Sequence, residues 1–125
     1  MNTRQAGDLG EDAAARFLQK QGYVILERNY RNQLGEIDII AQDHDVICFV
    51  EVKMRKGNAQ EFALEAVTRS KQRKISQVAL SYLKNVNRLD SHARFDVVTV
   101  TKDAQGSVDL DLIQDAFDLA QPYLY

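Results

Sequence analysis

The sequence is poor in cysteine, with one, and in proline, with one, among 125 residues. Cys48 alone cannot form an intrachain disulfide, and no cluster of Cys and His has the spacing of a zinc site. A reducing, cytoplasmic setting is therefore expected. Long apolar runs are also missing: the longest, Val46 to Val50, is far too short to cross a membrane. Met1 to Ala15 carries Arg4, Asp8, Glu11 and Asp12 and lacks the apolar stretch of a secretory signal, so no membrane association is expected. Nor is there an excess of one charge. Sixteen Lys and Arg against eighteen Asp and Glu leave a net charge of -2, which excludes a protein that coats nucleic acid by bulk charge. His44 and His92 have no Ser or Cys partner at a useful spacing, so a hydrolase triad has no support. The rest, 45% hydrophobic and 27% charged, is the composition of a single domain over residues 1–125. A chain of this size buries roughly two thirds of the surface its unfolded form exposes, enough for a core without staples.

The neutral average hides an asymmetry. Lys53 to Lys74 holds seven basic residues (Lys53, Arg55, Lys56, Arg69, Lys71, Arg73, Lys74) against Glu61 and Glu65, a net of +5. Asp103 to Tyr125 holds five Asp and no Lys or Arg, a net of -5. The basic segment reads either as an electrostatic footprint for phosphates or as a solvated helix face. The acidic end reads as solubilising surface, and no function is assigned to it.

Ala6, Leu9, Ala13, Phe17 and Leu18 follow helical spacing from a Thr3 cap to a stop at Gly22. A strand over Tyr23 to Asn29 and a turn over Tyr30 to Gly35 follow. Glu36 to Ala41 and Val46 to Lys53 then form a hairpin about the polar group Gln42, Asp43, His44 and Asp45. Gly57 to Gln60 reads as a loop. From about Phe62 to Asn85 the positions Leu64, Val67, Ile75, Val78, Ala79, Tyr82 and Val86 predict a long amphipathic helix. Strands over Phe95 to Val100 and Val108 to Ile113 come next, and a short helical end from Gln114. The predicted order is αβββαβ with an added strand, an α/β fold in which helices pack on a mixed sheet.

Strand parity sorts the hairpin. Ile37, Ile39, Ala41, Val46, Cys48, Val50 and Val52 make one apolar face, and Glu36, Asp38, Ile40, Gln42, Ile47, Phe49, Glu51 and Lys53 the other. A turn centred between His44 and Asp45 sets Asp38 opposite Glu51 and Glu36 opposite Lys53. Opposed carboxylates on paired strands repel. A shared proton, or a divalent cation such as Mg²⁺ held by both, would compensate. Lys53, on the same face, is placed to stabilise developing phosphoryl charge or to orient an attacking water. The competing reading is a surface ion pair of Glu36 with Lys53, and a pair of acids blunting a sheet edge.

The runs Gly35-Glu-Ile-Asp-Ile-Ile-Ala41 and Phe49-Val-Glu-Val-Lys53 resemble the metal-dependent PD-(D/E)XK nuclease superfamily, the restriction-endonuclease-like fold. More narrowly, the chain resembles the YraN-like family of small bacterial proteins. That resemblance extends from Gly10-Glu11 through Glu65-Ala-Val67, Lys71 and Lys74 to Arg94-Phe-Asp-Val-Val98. It implies Asp38 and Glu51 as metal ligands, the Val52 carbonyl as a third, Lys53 as the motif lysine, and Mg²⁺ or Mn²⁺ as the ion. Glu11 resembles the extra acid that archaeal Holliday junction resolvases bring to the same site. Ile37 stands where the superfamily pattern has proline.

Of the other polar residues, Glu11 falls on the flank of the first helix, where a Glu is ordinarily solvated. Lys71 falls among Val67, Ile75 and Val78, so its ammonium must reach a rim or meet a carboxylate or phosphate. Lys74 is its weaker neighbour. Arg94 and Asp96 read as a structural ion pair, and Tyr82 and Cys48 as core. The expected activity is Mg²⁺-dependent hydrolysis of phosphodiester bonds in DNA, ahead of RNA, including branched or recombination intermediates. Asp38, Glu51, Lys53 and Glu11 would be catalytic, and Arg55, Lys56, Lys71 and Lys74 would hold phosphates. The rivals are a non-catalytic nucleic-acid-binding accessory protein and a protein-interaction module on the same fold. A homodimer is compatible with any of them.

Overall fold

The computed structural model describes residues 3–55 and 67–118. Its elements are α1 (Thr3–Lys20), β1 (Val24–Asn32), β2 (Gly35–Asp43), β3 (Val46–Arg55), α2 (Arg69–Asn85), β4 (Ala93–Lys102) and β5 (Val108–Phe117). The five strands make one sheet in the order β1-β2-β3-β4-β5, with β3 and β4 parallel and the other neighbours antiparallel. The parallel pair is connected through α2, and β5 adds an antiparallel edge. This is the expected α/β restriction-endonuclease-like core. No described helix is long and apolar enough to cross a membrane.

Alternation along β3 feeds two cores. Ile47 and Phe49 pack with Ile75, Val78, Ala79 and Tyr82 of α2, whereas Cys48 and Val50 pack with Ala14 and Leu18 of α1. The helices thus cover opposite faces, which is why the central strand reads as a nearly continuous apolar run. Burial pushes the Cys48 thiol up to about 12, so it is a packing residue with no thiolate at neutral pH. Both helices end in the same way. Gly22 (φ 97) and Asn87 (φ 59) take left-handed conformations. At α1, Tyr23 N–H donates to the Leu18 carbonyl and Gly22 N–H to that of Gln19, both at 3.0 Å. At α2, Arg88 donates to Leu83 at 2.7 Å and Asn87 to Lys84 at 3.1 Å. These paired bonds satisfy carbonyls that the last helical turn leaves open.

Three element boundaries differ from the sequence expectation by more than two residues. β1 continues to Asn32, because Tyr30 pairs with Ile37 and Arg31 with Glu36, which shrinks the turn to Gln33 and Leu34. α2 opens at Arg69, where extended Thr68 (φ -64, ψ 164) caps it by accepting the Lys71 N–H. Of the predicted helix before it, residues 62–66 lie outside those described, and Val67 is buried ahead of the cap. The helical end predicted from Gln114 is instead strand. Asp115 (φ 53) makes a bulge whose N–H donates to Asp96 Oδ1 at 2.9 Å, and Phe117 stacks on Phe95 at 4.9 Å.

Candidate active site

The β2–β3 ladder runs from Asp43 paired with Val46 to Ile39 paired with Val50, so the turn falls at His44 and Asp45 as the pattern predicts. Extended one residue further, that register sets Asp38 opposite Glu51. The ladder does not continue. Ile37, expected to share a face with Ile39, packs in the α2 core while Ile39 packs in the α1 core. β2 therefore twists at Asp38 and leaves β3. The Val52 N–H that a continued ladder would give to a carbonyl of β2 donates instead to Asp38 Oδ2 at 2.8 Å. A carboxylate has replaced a backbone acceptor.

This exchange builds the site. The Asp38 carboxylate is held against the peptide that joins Glu51 to Val52. In an extended strand the N–H and C=O of one residue point to the same side, so the Val52 carbonyl is directed into the same gap. Lys53 Nζ lies 3.8 Å from Glu51 Oε2, with side chains 17% and 13% exposed. Lys71 is exposed on the first turn of α2, at the rim rather than within the buried stripe expected for it. It nevertheless makes side-chain contact with Lys53, and its charge acts on both Asp38 and Glu51.

Burial and the Asp38 charge push the Glu51 carboxyl up to about 8. Burial also raises Asp38, despite the Val52 N–H that favours its charged form. Burial, then Lys71, lowers the Lys53 ammonium. Two desolvated acids thus resist being charged together. Carboxylate and carbonyl oxygens at one strand parting are a hard donor set of the kind Mg²⁺ or Mn²⁺ takes, so the residues fit such an ion. Among the described residues no group of three or more His, Cys, Asp or Glu is gathered as a metal cage. A cation here would draw on the two acids, the Val52 carbonyl and water.

The remaining expected residues are more scattered. Glu36 pairs with Arg31 across β1 and β2 at 3.3 Å, not with Lys53, yet its charge acts on Asp38 and Glu51. Glu11 is less solvated than its flank position suggested, since its Oε1 is shielded from solvent. It follows Gly10, which packs so tightly on Met54 of β3 that a Cβ there would overlap the sulfur. Lys74 is exposed on α2, three residues beyond Lys71. Arg55 ends β3, and Lys56 lies outside the described residues. The Arg31–Glu36 pair beside the site is not visible in the sequence, because Tyr30 to Gly35 reads as turn.

At the other end of the sheet, the expected Arg94–Asp96 pair is the centre of a larger network. Arg94 donates to Asp96 at 3.1 Å, to Asp43 at 2.9 Å and to Tyr23 Oη at 2.6 Å. Tyr23 in turn donates to Asp96 at 3.1 Å and accepts from Gln114 at 2.8 Å.

Residues 10–100 match the model of the family described as "Uncharacterised protein family UPF0102". A UPF0102 protein of Syntrophus aciditrophicus is 50% identical over 117 residues, covering 93% of this chain and 91% of the relative. One from Desulfosudis oleivorans is 49% identical over 119 residues, covering 94% of each. One from Caldicellulosiruptor saccharolyticus is 43% identical over 118 residues, covering 94% of this chain and all of the relative. The matched span contains Glu11, Asp38, Glu51, Lys53 and Lys71, and with them the strand parting and both its flanks. On that match the chain belongs to UPF0102, the YraN-like family of the PD-(D/E)XK superfamily.

Proposed function

We propose that the protein is a divalent-cation-dependent nuclease hydrolysing phosphodiester bonds in DNA, ahead of RNA. The observation that carries this reading is the desolvated Asp38–Glu51 pair, brought together where β2 leaves β3, with Lys53 beside it. Such a pair is unfavourable alone and becomes favourable around Mg²⁺ or Mn²⁺. Asp38, Glu51 and the Val52 carbonyl would hold the ion, which when bound supplies a Lewis acid and lowers the pKa of water.

The protein's own groups do the rest. The Val52 N–H fixes one oxygen of Asp38, leaving the other for the ion. The mostly buried Lys53 ammonium, anchored to Glu51, orients a water or steadies charge on a phosphoryl oxygen. Lys71 and Lys74 on α2 face flanking phosphates, with Arg55 and Lys56 following Lys53 in the chain. Glu11 approaches from α1, at the end of β3 that Met54 shares with Lys53.

Cleavage of linear, single-stranded and branched DNA in Mg²⁺ or Mn²⁺ tests the reading. Wild type should cut at least one of these, and Glu51→Ala and Lys53→Ala should each lose roughly a hundredfold or more in rate. Cleavage that survives both substitutions overturns the assignment. The gathering of two acids rather than three among the described residues favours one alternative, a non-catalytic nucleic-acid-binding accessory protein. It predicts salt-sensitive binding that persists after chelation of the metal, with no cleavage in any metal.

A further inference from the structure

The β1–β2 hairpin reaches the acid pair through Glu36 and rests on α2. Arg31 and Glu36 are register partners, and their side chains meet at 3.3 Å. Glu36 is two residues from Asp38, and its charge acts on both site acids. Asn32 Nδ2 donates to Ser81 Oγ on α2 at 3.3 Å. A Cβ on Gly35 would lie 3.3 Å from Val78 Cγ2, so the hairpin backbone rests directly on α2. Lys74 and Lys71 stand one and two turns before Val78 on the side of α2 that the hairpin crosses. The strand parting is thus flanked by the hairpin with Arg31 and by the start of α2 with its lysines.

The Arg31 side chain is 72% exposed, and its carboxylate partner is 39% exposed. An exposed pair of this kind is worth little and exchanges readily. A guanidinium is also the side chain best shaped to take two oxygens of a phosphate.

Resting on the nuclease reading, we infer that Arg31 is a phosphate-binding residue of the same site. It would leave Glu36 to grip the strand on the hairpin side while Lys71 and Lys74 grip it on the α2 side. The strand being cut then lies across the sheet end where β2 and β3 part.

The test is fluorescence-anisotropy binding of the full chain to labelled single-stranded and duplex DNA, with Ca²⁺ in place of Mg²⁺ and salt varied. Arg31→Ala should weaken binding by roughly three- to tenfold and lower the slope of log affinity against log salt by about one. Arg31→Lys should keep the slope, and Arg31→Glu should lose more affinity than Arg31→Ala. Arg31→Ala also unmasks Glu36, so the double variant Arg31→Ala/Glu36→Gln separates contact from repulsion. If Arg31 holds phosphate, the double variant keeps the lowered slope; a return to the wild-type slope overturns the inference. Wild-type-like binding by Arg31→Ala and Arg31→Glu alongside loss in Lys71→Ala overturns it too, leaving the nuclease reading intact. If wild type binds neither DNA, that reading fails and this one with it.

Discussion

Raised by burial and by the Asp38 charge, the Glu51 carboxyl makes the fold less stable as pH rises. Its ordinary value of 4.5 rises to about 8 in the folded protein, so the folded state holds a proton that the unfolded state has released. Stability from this group is complete below the unfolded value and declines as pH rises from about 4.5 to about 8. Glu51→Gln removes that decline. The variant should match wild type near pH 4 and exceed it above pH 8 by at least ~1 kcal/mol, or about 4 °C in melting temperature. Mg²⁺ should raise the melting temperature of wild type and not of Glu51→Gln, because only the charged pair binds it. Thermal unfolding across pH 4–9 measures both, and a gain independent of pH would refute the assignment. At this scale the sequence was partly legible. Asp38 and Glu51 could be set opposite one another because a two-residue period and one turn determine a hairpin register. The partner of Glu36 could not, because it lies across β1, whose last residues read as turn.

The helices and strands show the same division. α1, with its stop at Gly22, and the core strands were readable because their signals are local: spacing, a left-handed residue and alternation. The start of α2 was not, because the apolar stripe runs on through Val67, which is buried yet precedes the cap. β5 was misread beyond Ile113 because its bulge is supported by Asp96, nineteen residues away. The cap of α2 also links fold to site, since Thr68 Oγ1 accepts the N–H of Lys71 at 3.2 Å. Thr68→Ala should cost ~1 kcal/mol and lower the melting temperature by about 4 °C, while Thr68→Ser should cost little. If the first turn of α2 presents Lys71 to phosphate, Thr68→Ala should also weaken DNA binding at temperatures well below unfolding. Unchanged affinity would place the cap in stability alone.

Across the whole molecule, the two ends of the sheet carry buried charge for different purposes. At the parting of β2 and β3 the Asp38 and Glu51 carboxyls are desolvated, and Lys53 and Lys71 offset this only in part. At the far end the charges are matched within the chain: Asp96 is wholly buried and is met by Arg94, Tyr23 Oη and the Asp115 N–H. Arg94 reaches on to Asp43 at the end of β2, so one guanidinium ties β2 to β4, while Tyr23 brings in the segment after α1 and Gln114 of β5. Arg94 holds the Asp43 carboxyl below its ordinary value of 3.8, so this contact stabilises the fold above that pH and is lost as pH falls through the folded value. Removing the guanidinium strands a buried carboxylate, which typically costs ~3–5 kcal/mol, a large share of the stability of a domain this size. Replacing the central charges together is milder, because the wholly buried Asp96 charge goes with its partner and only the partly exposed Asp43 carboxylate loses Arg94. Arg94→Met should therefore lower the melting temperature by 10 °C or more, by roughly 4 °C per kcal/mol, and Arg94→Met/Asp96→Asn should recover part of that loss. Differential scanning calorimetry at pH 7 reads both. A double variant no more stable than Arg94→Met would mean that the network acts through its bonds to Tyr23 and Asp115 rather than through charge balance.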